Sequence, residues 1–255
     1  MSVADQARVA AAFDRAEHYA GHAGVQRVIA GQLAAQIAGL DLPAEARVLE
    51  IGCGTGFLTS ELLGRGVGRE WLITDKAPAM VERCRVAVGE APGREFAVLD
   101  GEYGLGKLNH RYDLICASMA MQWFDDLDSA IARLVDRLEP GGHLVFNTLA
   151  GATFAEWREA HESCELEAGV VAFPPAAALL DRLRQFSPGA VAVNRHVERH
   201  EDAWQFLERL KRIGASTPRP GHVPLSTTEL KRVMAAFDSA GACATYEVVT
   251  CQIAG

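Results

Sequence analysis

A chain of 255 residues, 49% hydrophobic and 23% charged, has room for one large α/β domain or two small ones and the composition of an ordinary globular enzyme. Its formal net charge of −8 argues against non-specific nucleic-acid binding, which usually leaves a basic surplus, although a local basic patch could still meet an acidic partner. Asp5 and Arg8 cut the opening segment before any signal-like core, no stretch approaches a membrane span, and six cysteines lack C-x-x-C spacing, so a soluble cytoplasmic protein with reduced, mostly buried thiols is expected.

Apolar residues at helical spacing (Val9, Ala12, Phe13, then Val25, Ile29, Leu33, Ile37), interrupted between Gly21 and Gly24, predict two helices ahead of the first strand. Strand one follows at 47–52 and a helix at 56–64. WLITD (71–75), a helix near 78–88 and EFAVLD (95–100) come next, then YDLICAS (112–118), a helix at 127–138 and HLVFNTL (143–149). Strands alternating with helices at this rhythm mean βαβ units, hence a doubly wound, mostly parallel sheet covered on both faces. Farther on, 153–168 and 176–186 read as helical around Phe173-Pro174-Pro175, and AVAVNRHVERH (190–200) alternates like a strand. Residues 201–214 and 226–240 are helical, and CATYEVVTCQIA (243–254) closes as a strand. Seven strands result, the last two expected as an antiparallel edge pair. One domain is the simplest organisation: an N-terminal helical lid (1–40), a cofactor-binding core (41–150), and a substrate cover with closing strands (151–255).

The stretch RVLEIGCGTGFLT (47–59) runs from an aliphatic strand through Glu50 into Gly52, Gly54 and Gly56. A glycine loop between strand and helix lets a ligand lie against bare backbone at the helix's unpaired N–H groups. The spacing G-x-G-x-G is neither the dinucleotide fingerprint G-x-G-x-x-G nor a phosphate loop with its G-K-[ST]. Glu50 would repel a pyrophosphate but suits a cationic ligand, and S-adenosylmethionine, with its sulfonium and ammonium groups, has that character. An ordinary strand turn is the alternative for the motif alone.

In an open α/β sheet the ligand lies beyond the carboxyl ends of the strands. Asp75 ends strand two, where a carboxylate can accept from both ribose hydroxyls, and Lys76 follows it. Asp100, Gly101 and Glu102 end strand three, where a carboxylate could accept from an adenine amino group. Ser118 and Met119 end strand four, with Gln122 and Trp123 beyond. The expected donor site is thus Glu50, Gly52, Cys53, Gly54, Gly56, Asp75, Lys76, Asp100, Gly101, Glu102, Ser118 and Met119. The bland reading of Glu50, Asp75 and Asp100 is a loop or helix cap.

Through EIGCGTG, Asp75 and Asp100 the first 150 or so residues resemble class I S-adenosylmethionine-dependent methyltransferases. Over nearly the whole chain, FDRAEHYAGHAGVQRVIA, YDLICASMAMQWFDDLDSAIARLVDRLEPGGHLVFNTLAGATFAEWREAH, LKRIGASTPRPG and LSTTELKRVMAAF resemble the malonyl-acyl-carrier-protein O-methyltransferases of biotin synthesis. SMAMQWFDDL with FNTLAGATF is the more specific part. The resemblance implies methyl transfer from S-adenosylmethionine to the free carboxylate of a malonyl thioester, giving an ester that primes pimeloyl synthesis. It makes acyl carrier protein the partner and S-adenosylhomocysteine the by-product. A malonyl carboxylate is already ionised at neutral pH, so no general base and no metal is called for.

That carboxylate needs a cationic or hydrogen-bonding clamp. Lys211 is the leading candidate, Arg212 the second, Tyr19 a hydroxyl lining the lid, and Trp123 a pocket wall. The plain alternatives are a solvated helix residue for Lys211, helix packing for Tyr19 and a core aromatic for Trp123. His18, His22 and His161 have no partner pattern that makes them metal ligands. Ser118 lacks a nucleophile elbow, G-x-S-x-G. Arg195, His196, Arg199 and His200 read as a solvated strand face, or as a surface for an acidic carrier protein. Competing functions are a methyltransferase for another small acid or a quinone, a silent S-adenosylmethionine-binding fold and, more distantly, a nicotinamide dehydrogenase.

Overall fold

The structure is a computed structural model that describes residues 24–186, 191–212, 218, 219 and 221–255. The first expected helix, with Tyr19, His18 and His22, lies outside the described residues. The second is α1 (Gly24–Ile37), which buries Val25, Ile29, Leu33 and Ile37.

A seven-stranded sheet follows, with spatial order β3-β2-β1-β4-β5-β7-β6. Its strands are β1 (Arg47–Ile51), β2 (Glu70–Asp75), β3 (Arg94–Val98), β4 (Tyr112–Ala117), β5 (Leu138–Leu149), β6 (Val191–Arg199) and β7 (Cys243–Ala254). The crossovers are α2 (Phe57–Gly64), α3 (Pro78–Val88) and α4 (Leu127–Val135). β1, β2, β3, β4 and β5 pair in parallel. The central strands read as unbroken aliphatic runs because helices cover both faces. Leu49, Ile115 and Phe146 point to the face under α4, and Val48, Leu114 and Val145 to the face under α1 and α2.

The C-terminal third refines the expected edge pair. β7 inserts between β5 and β6 and is antiparallel to both, so β6 is the edge and runs with the parallel strands. The apolar content explains the order: β7, with two neighbours, is buried almost throughout, whereas β6 is mostly exposed and carries Arg195 and Arg199, charges that suit an unpaired edge. Strand alternation divides the expected Arg/His cluster. Arg195 and Arg199 are exposed, while His200 is buried against Phe206 and burial depresses its pKa to about 4.

Two other boundaries differ from expectation. Only Ala155–Glu162 of the expected 153–168 helix forms (α5), because the amides of Cys164 and Leu166 both return to the His161 carbonyl and Glu165 takes a left-handed φ of 59°. β5 starts at Leu138, with a register shift against β4 between Tyr112 and Leu114 that accommodates Pro140, Gly141 and Gly142. The remaining helices are α6 (Ala176–Arg184), α7 (Ala203–Arg212) and α8 (Thr227–Ser239). Helices α5, α7 and α8 enclose an aromatic core against β7 in which Phe206 lies 5.1 Å from Phe237 and 5.3 Å from Trp157. All six cysteines are free, and only Cys243 is not fully buried.

Candidate functional site

Chain order places the switch point at the carboxyl end of β1, which has β2 on one side and β4 on the other. A cleft opens there, enclosing about 1050 Å³ with its open mouth included. Its lining includes Glu50, Gly52, Cys53, Gly54, Asp75, Lys76, Asp100, Gly101, Glu102, Ser118, Met119 and Trp123, eleven of the twelve expected donor-site residues plus the expected wall.

The glycines serve different ends. Gly52 (φ +69°) lies where a Cβ would come within 2.4 Å of Ala120 Cβ, and at Gly101 a Cβ would come within 2.3 Å of Ile51 Cγ2. Both let neighbouring strand ends approach. Gly54 (φ +54°) has nothing within 4 Å of its missing Cβ, so it presents bare backbone to the cleft. Gly56, the twelfth, caps α2 and is not in the lining; a Cβ there would sit 3.1 Å from Cys84 Sγ. It packs α2 against α3.

Glu50 is 1% exposed and accepts a 2.7 Å hydrogen bond from Thr59 Oγ1. Burial raises its pKa to about 7; the Thr59 bond opposes the rise and the Asp75 charge adds to it. Asp75 braces the loop: Oδ2 accepts from Gly54 N at 2.9 Å and Oδ1 from Ala77 N at 2.9 Å. Asp100 receives Lys76 Nζ at 2.7 Å and the amides of Glu102 and Tyr103. Burial pushes Asp100 upward, but Lys76 and those amides outweigh it and hold the carboxyl below its ordinary value. Cys53 is held well above an ordinary thiol by its hydrogen bond with Cys84 and by burial, so it is no nucleophile.

Glu102 is used structurally: 1% exposed, it accepts from the amides of Asp125 and Asp126 at 2.8–3.0 Å. It thereby anchors the segment carrying Trp123 and Phe124, both in the cleft wall. Met119, at φ 55°, donates its amide to Asn147 Oδ1 at 2.7 Å and accepts from Gln122 Nε2 at 2.6 Å.

The acceptor-side expectations fare differently. Lys211 is exposed and outside the lining, because α7 buries Phe206 and the adjacent Leu210 and turns Lys211 outward. Arg212 is the last residue of α7, and its side chain, like Tyr19, lies outside the described residues. His161 is a core residue, with Nδ1 2.8 Å from the Trp157 carbonyl. Among the described residues no group of three or more His, Cys, Asp or Glu could hold a metal ion, and no helix is long and apolar enough to cross a membrane.

Sequence reasoning missed Gln26, Thr55 and Phe57, which also line the cleft. A signal for Gln26 existed: it shares the i, i+4, i+7 stripe of Ala30 and Leu33, a polar residue on a buried helix face. Thr55 Oγ1 is buried without a hydrogen-bond partner among the described residues.

Residues 22–240 match the family model described as a methyltransferase domain. Over 245 residues the chain is 36% identical to the malonyl-acyl-carrier-protein O-methyltransferase of Magnetococcus marinus, covering 95% of this chain and 90% of that one. The chain belongs to the malonyl-acyl-carrier-protein O-methyltransferase family. It is 46% identical over 240 residues to the biotin biosynthesis bifunctional protein of Bordetella avium, covering 94% of this chain but spanning only 50% of that protein. In fold it is similar to a SAM-dependent methyltransferase of Thiobacillus denitrificans in complex with S-adenosyl-L-homocysteine, with a TM-score of 0.52 at 16% identity, 88% of this chain and 91% of that one being covered. As a family member the chain is an S-adenosylmethionine-dependent methyltransferase. The cleft fits such a donor: the bare Gly54 backbone, the unpartnered Thr55 hydroxyl and the buried Glu50 suit a ligand with polar groups and positive charge.

Proposed function

We propose that the protein transfers a methyl group from S-adenosylmethionine to the free carboxylate of malonyl-acyl carrier protein. The observation that carries the donor half is the cleft at the β1 switch point, where the positive-φ Gly54 and the buried Glu50 meet. The acceptor half is supported by likeness over 90% of the Magnetococcus marinus protein's length to an enzyme named for that substrate.

When bound, S-adenosylmethionine supplies an electrophilic methyl on a cationic sulfur, which a carboxylate oxygen can take while the S–C electron pair returns to sulfur. Within the chain, Glu50 offers negative charge to the donor's cationic end, and Asp75 turns its remaining lone pairs to the ribose hydroxyls. Asp100, already neutralised by Lys76, lies at the adenine end. Trp123 and Phe124, fixed by Glu102, exclude water from the reacting carboxylate. That acceptor is ionised at neutral pH, so the residues need move no proton, and catalysis rests on proximity, orientation and a dry wall. Arg212 and Tyr19 stay as proposed acceptor contacts in a cover formed by residues 151–255 and a lid at 1–40; Lys211, solvated outside the cleft, is not carried forward as the clamp.

The test is mass spectrometry of malonyl carrier protein after incubation with enzyme and donor. The expected result is a gain of one methyl group, removed by mild ester hydrolysis. No gain, with methylation of a different acid from a panel, would overturn the assignment of the acceptor.

A further inference from the structure

Both small groups that meet in the cleft under the reading above carry a carboxylate: the amino-acid end of the donor and the malonyl end of the acceptor. Yet the charged side chains lining the cleft are Glu50, Asp75, Asp100 and Glu102 against a single cation, Lys76, and Lys76 lies 2.7 Å from Asp100 on the β2–β3 side. A carboxylate approaching the glycine loop meets repulsion unless a cation stands there.

Arg27 stands there. It is on α1, which packs directly against α2, and its guanidinium lies 4.5 Å from the centroid of the Phe57 ring. Phe57 is the first residue of α2, directly after the glycine loop, and itself lines the cleft. Stacking on an aromatic face fixes the plane of a guanidinium and leaves its N–H edge for a bidentate acceptor. Beside it, Gln26 is 7% exposed and lines the cleft, and its side-chain amide makes no hydrogen bond among the described residues. A polar side chain buried to that degree and left unpaired is costly unless a ligand completes it. The unpartnered Thr55 Oγ1 lines the same cleft one residue before Gly56.

We propose that Gln26 and Arg27 form a carboxylate-recognition corner at the glycine-loop end of the cleft. Arg27 supplies the charge and the planar fork, and Gln26 a neutral donor on the wall. The inference rests on the methyl-transfer reading above for the identity of the two candidate carboxylates, and the experiment separates them.

Arg27→Met keeps an apolar stem on Phe57 and removes the charge; Arg27→Lys restores charge without the fork, and Gln26→Glu brings a like charge to the corner. Each variant is examined by calorimetric binding of S-adenosylhomocysteine and of 5′-methylthioadenosine, which lacks the amino-acid end, and by KM for donor and malonyl thioester separately. Loss of a charged hydrogen bond predicts a weakening of about tenfold or more for whichever ligand brings the carboxylate. If the donor brings it, S-adenosylhomocysteine binding and the donor KM worsen, methylthioadenosine is unmoved, and Arg27→Lys recovers part of the loss. If the acceptor brings it, S-adenosylhomocysteine binding is unchanged and only the malonyl KM rises. Unchanged binding and unchanged KM values in a folded Arg27→Met protein overturn the corner, and so does equal weakening of methylthioadenosine and S-adenosylhomocysteine. Should Arg27→Met fail to fold, Gln26→Glu gives the same two arms. Failure of the wild type to methylate any malonyl thioester refutes the acceptor assignment instead, and the corner is then decided by the S-adenosylhomocysteine arm, where an unchanged affinity overturns it.

Discussion

Glu50 connects the folding energetics of this protein to its donor site. It is 1% exposed, its pKa is raised from 4.5 to about 7, and the dominant cause is burial. For an acid with a raised folded-state pKa, ionisation is harder in the native protein than in the unfolded chain. The penalty is absent below about pH 4.5, grows as pH rises, and is complete above about pH 7. A rise from 4.5 to about 7 corresponds to roughly 3 kcal/mol.

Glu50→Gln keeps the shape and an acceptor for Thr59 Oγ1 while deleting the charge. In urea titrations of the ligand-free protein the variant should gain on the wild type by roughly 2–3 kcal/mol between about pH 5 and pH 8, from linkage alone. A stability difference between variant and wild type that is flat over that interval would refute the assignment of a strained, buried carboxylate. The same residue should show the opposite sign in binding: a cationic donor favours ionised Glu50, so wild-type affinity rises with pH through about 7 and donor binding below that pH releases a proton. Glu50→Gln should bind more weakly and lose the pH dependence. Its gain in stability alongside a loss of affinity is the pattern of a group kept for function.

The glycine loop offers a paired comparison. Gly54→Ala puts a Cβ into open cleft at φ +54° and should cost about 1–2 kcal/mol of backbone strain, while calorimetry shows a larger loss of S-adenosylhomocysteine affinity. Gly52→Ala adds a collision with Ala120 at 2.4 Å and should lower the melting temperature further; equal melting temperatures would contradict the close strand approach. Phe206→Ala, removing a 1% exposed ring stacked 5.1 Å from Phe237, should cost about 3–5 kcal/mol by denaturant titration. Lys211→Ala should leave the KM for the malonyl thioester within about twofold, as expected of an exposed helix residue; a large rise would return Lys211 to the site.

The donor loop was legible because the hydrophobic run, the acidic residue and the three glycines are all local. Helix α1 and the strand ends Asp75 and Asp100 were legible for the same reason, since each is a short-range pattern that tertiary packing reinforces. What escaped depends on distant partners. The carboxylate of Glu102 resembles a ligand contact until the amides of Asp125 and Asp126, over twenty residues later, occupy it. The insertion of β7 between β5 and β6 is a choice among pairings of one apolar and one half-polar strand, and only the burial of the whole sheet settles it. Lys211 could be placed on a helix from sequence, but the face it occupies is decided by Phe206 and Leu210 entering a core assembled from α5, α8 and β7.

Charge bookkeeping in the cleft explains how an anionic lining can still admit an anionic acceptor. Four carboxylates line it, yet Lys76 offsets Asp100, two backbone amides engage Glu102, and Glu50, with a pKa of about 7, is near half-protonated at neutral pH. That leaves Asp75, itself braced by Gly54 and Ala77, as the carboxylate facing the cleft with the least compensation. A cationic donor draws the proton from Glu50 and so makes its own counter-charge on arrival. Because that negative charge is created together with the positive charge that balances it, donor binding need not increase the repulsion felt by the acceptor carboxylate. An order of addition with donor first is therefore the electrostatically favoured one. Initial-velocity patterns with S-adenosylhomocysteine as inhibitor should show it competing with the donor and not with the malonyl thioester; competition with both would mean that either ligand can enter first and that Glu50 does not govern the sequence.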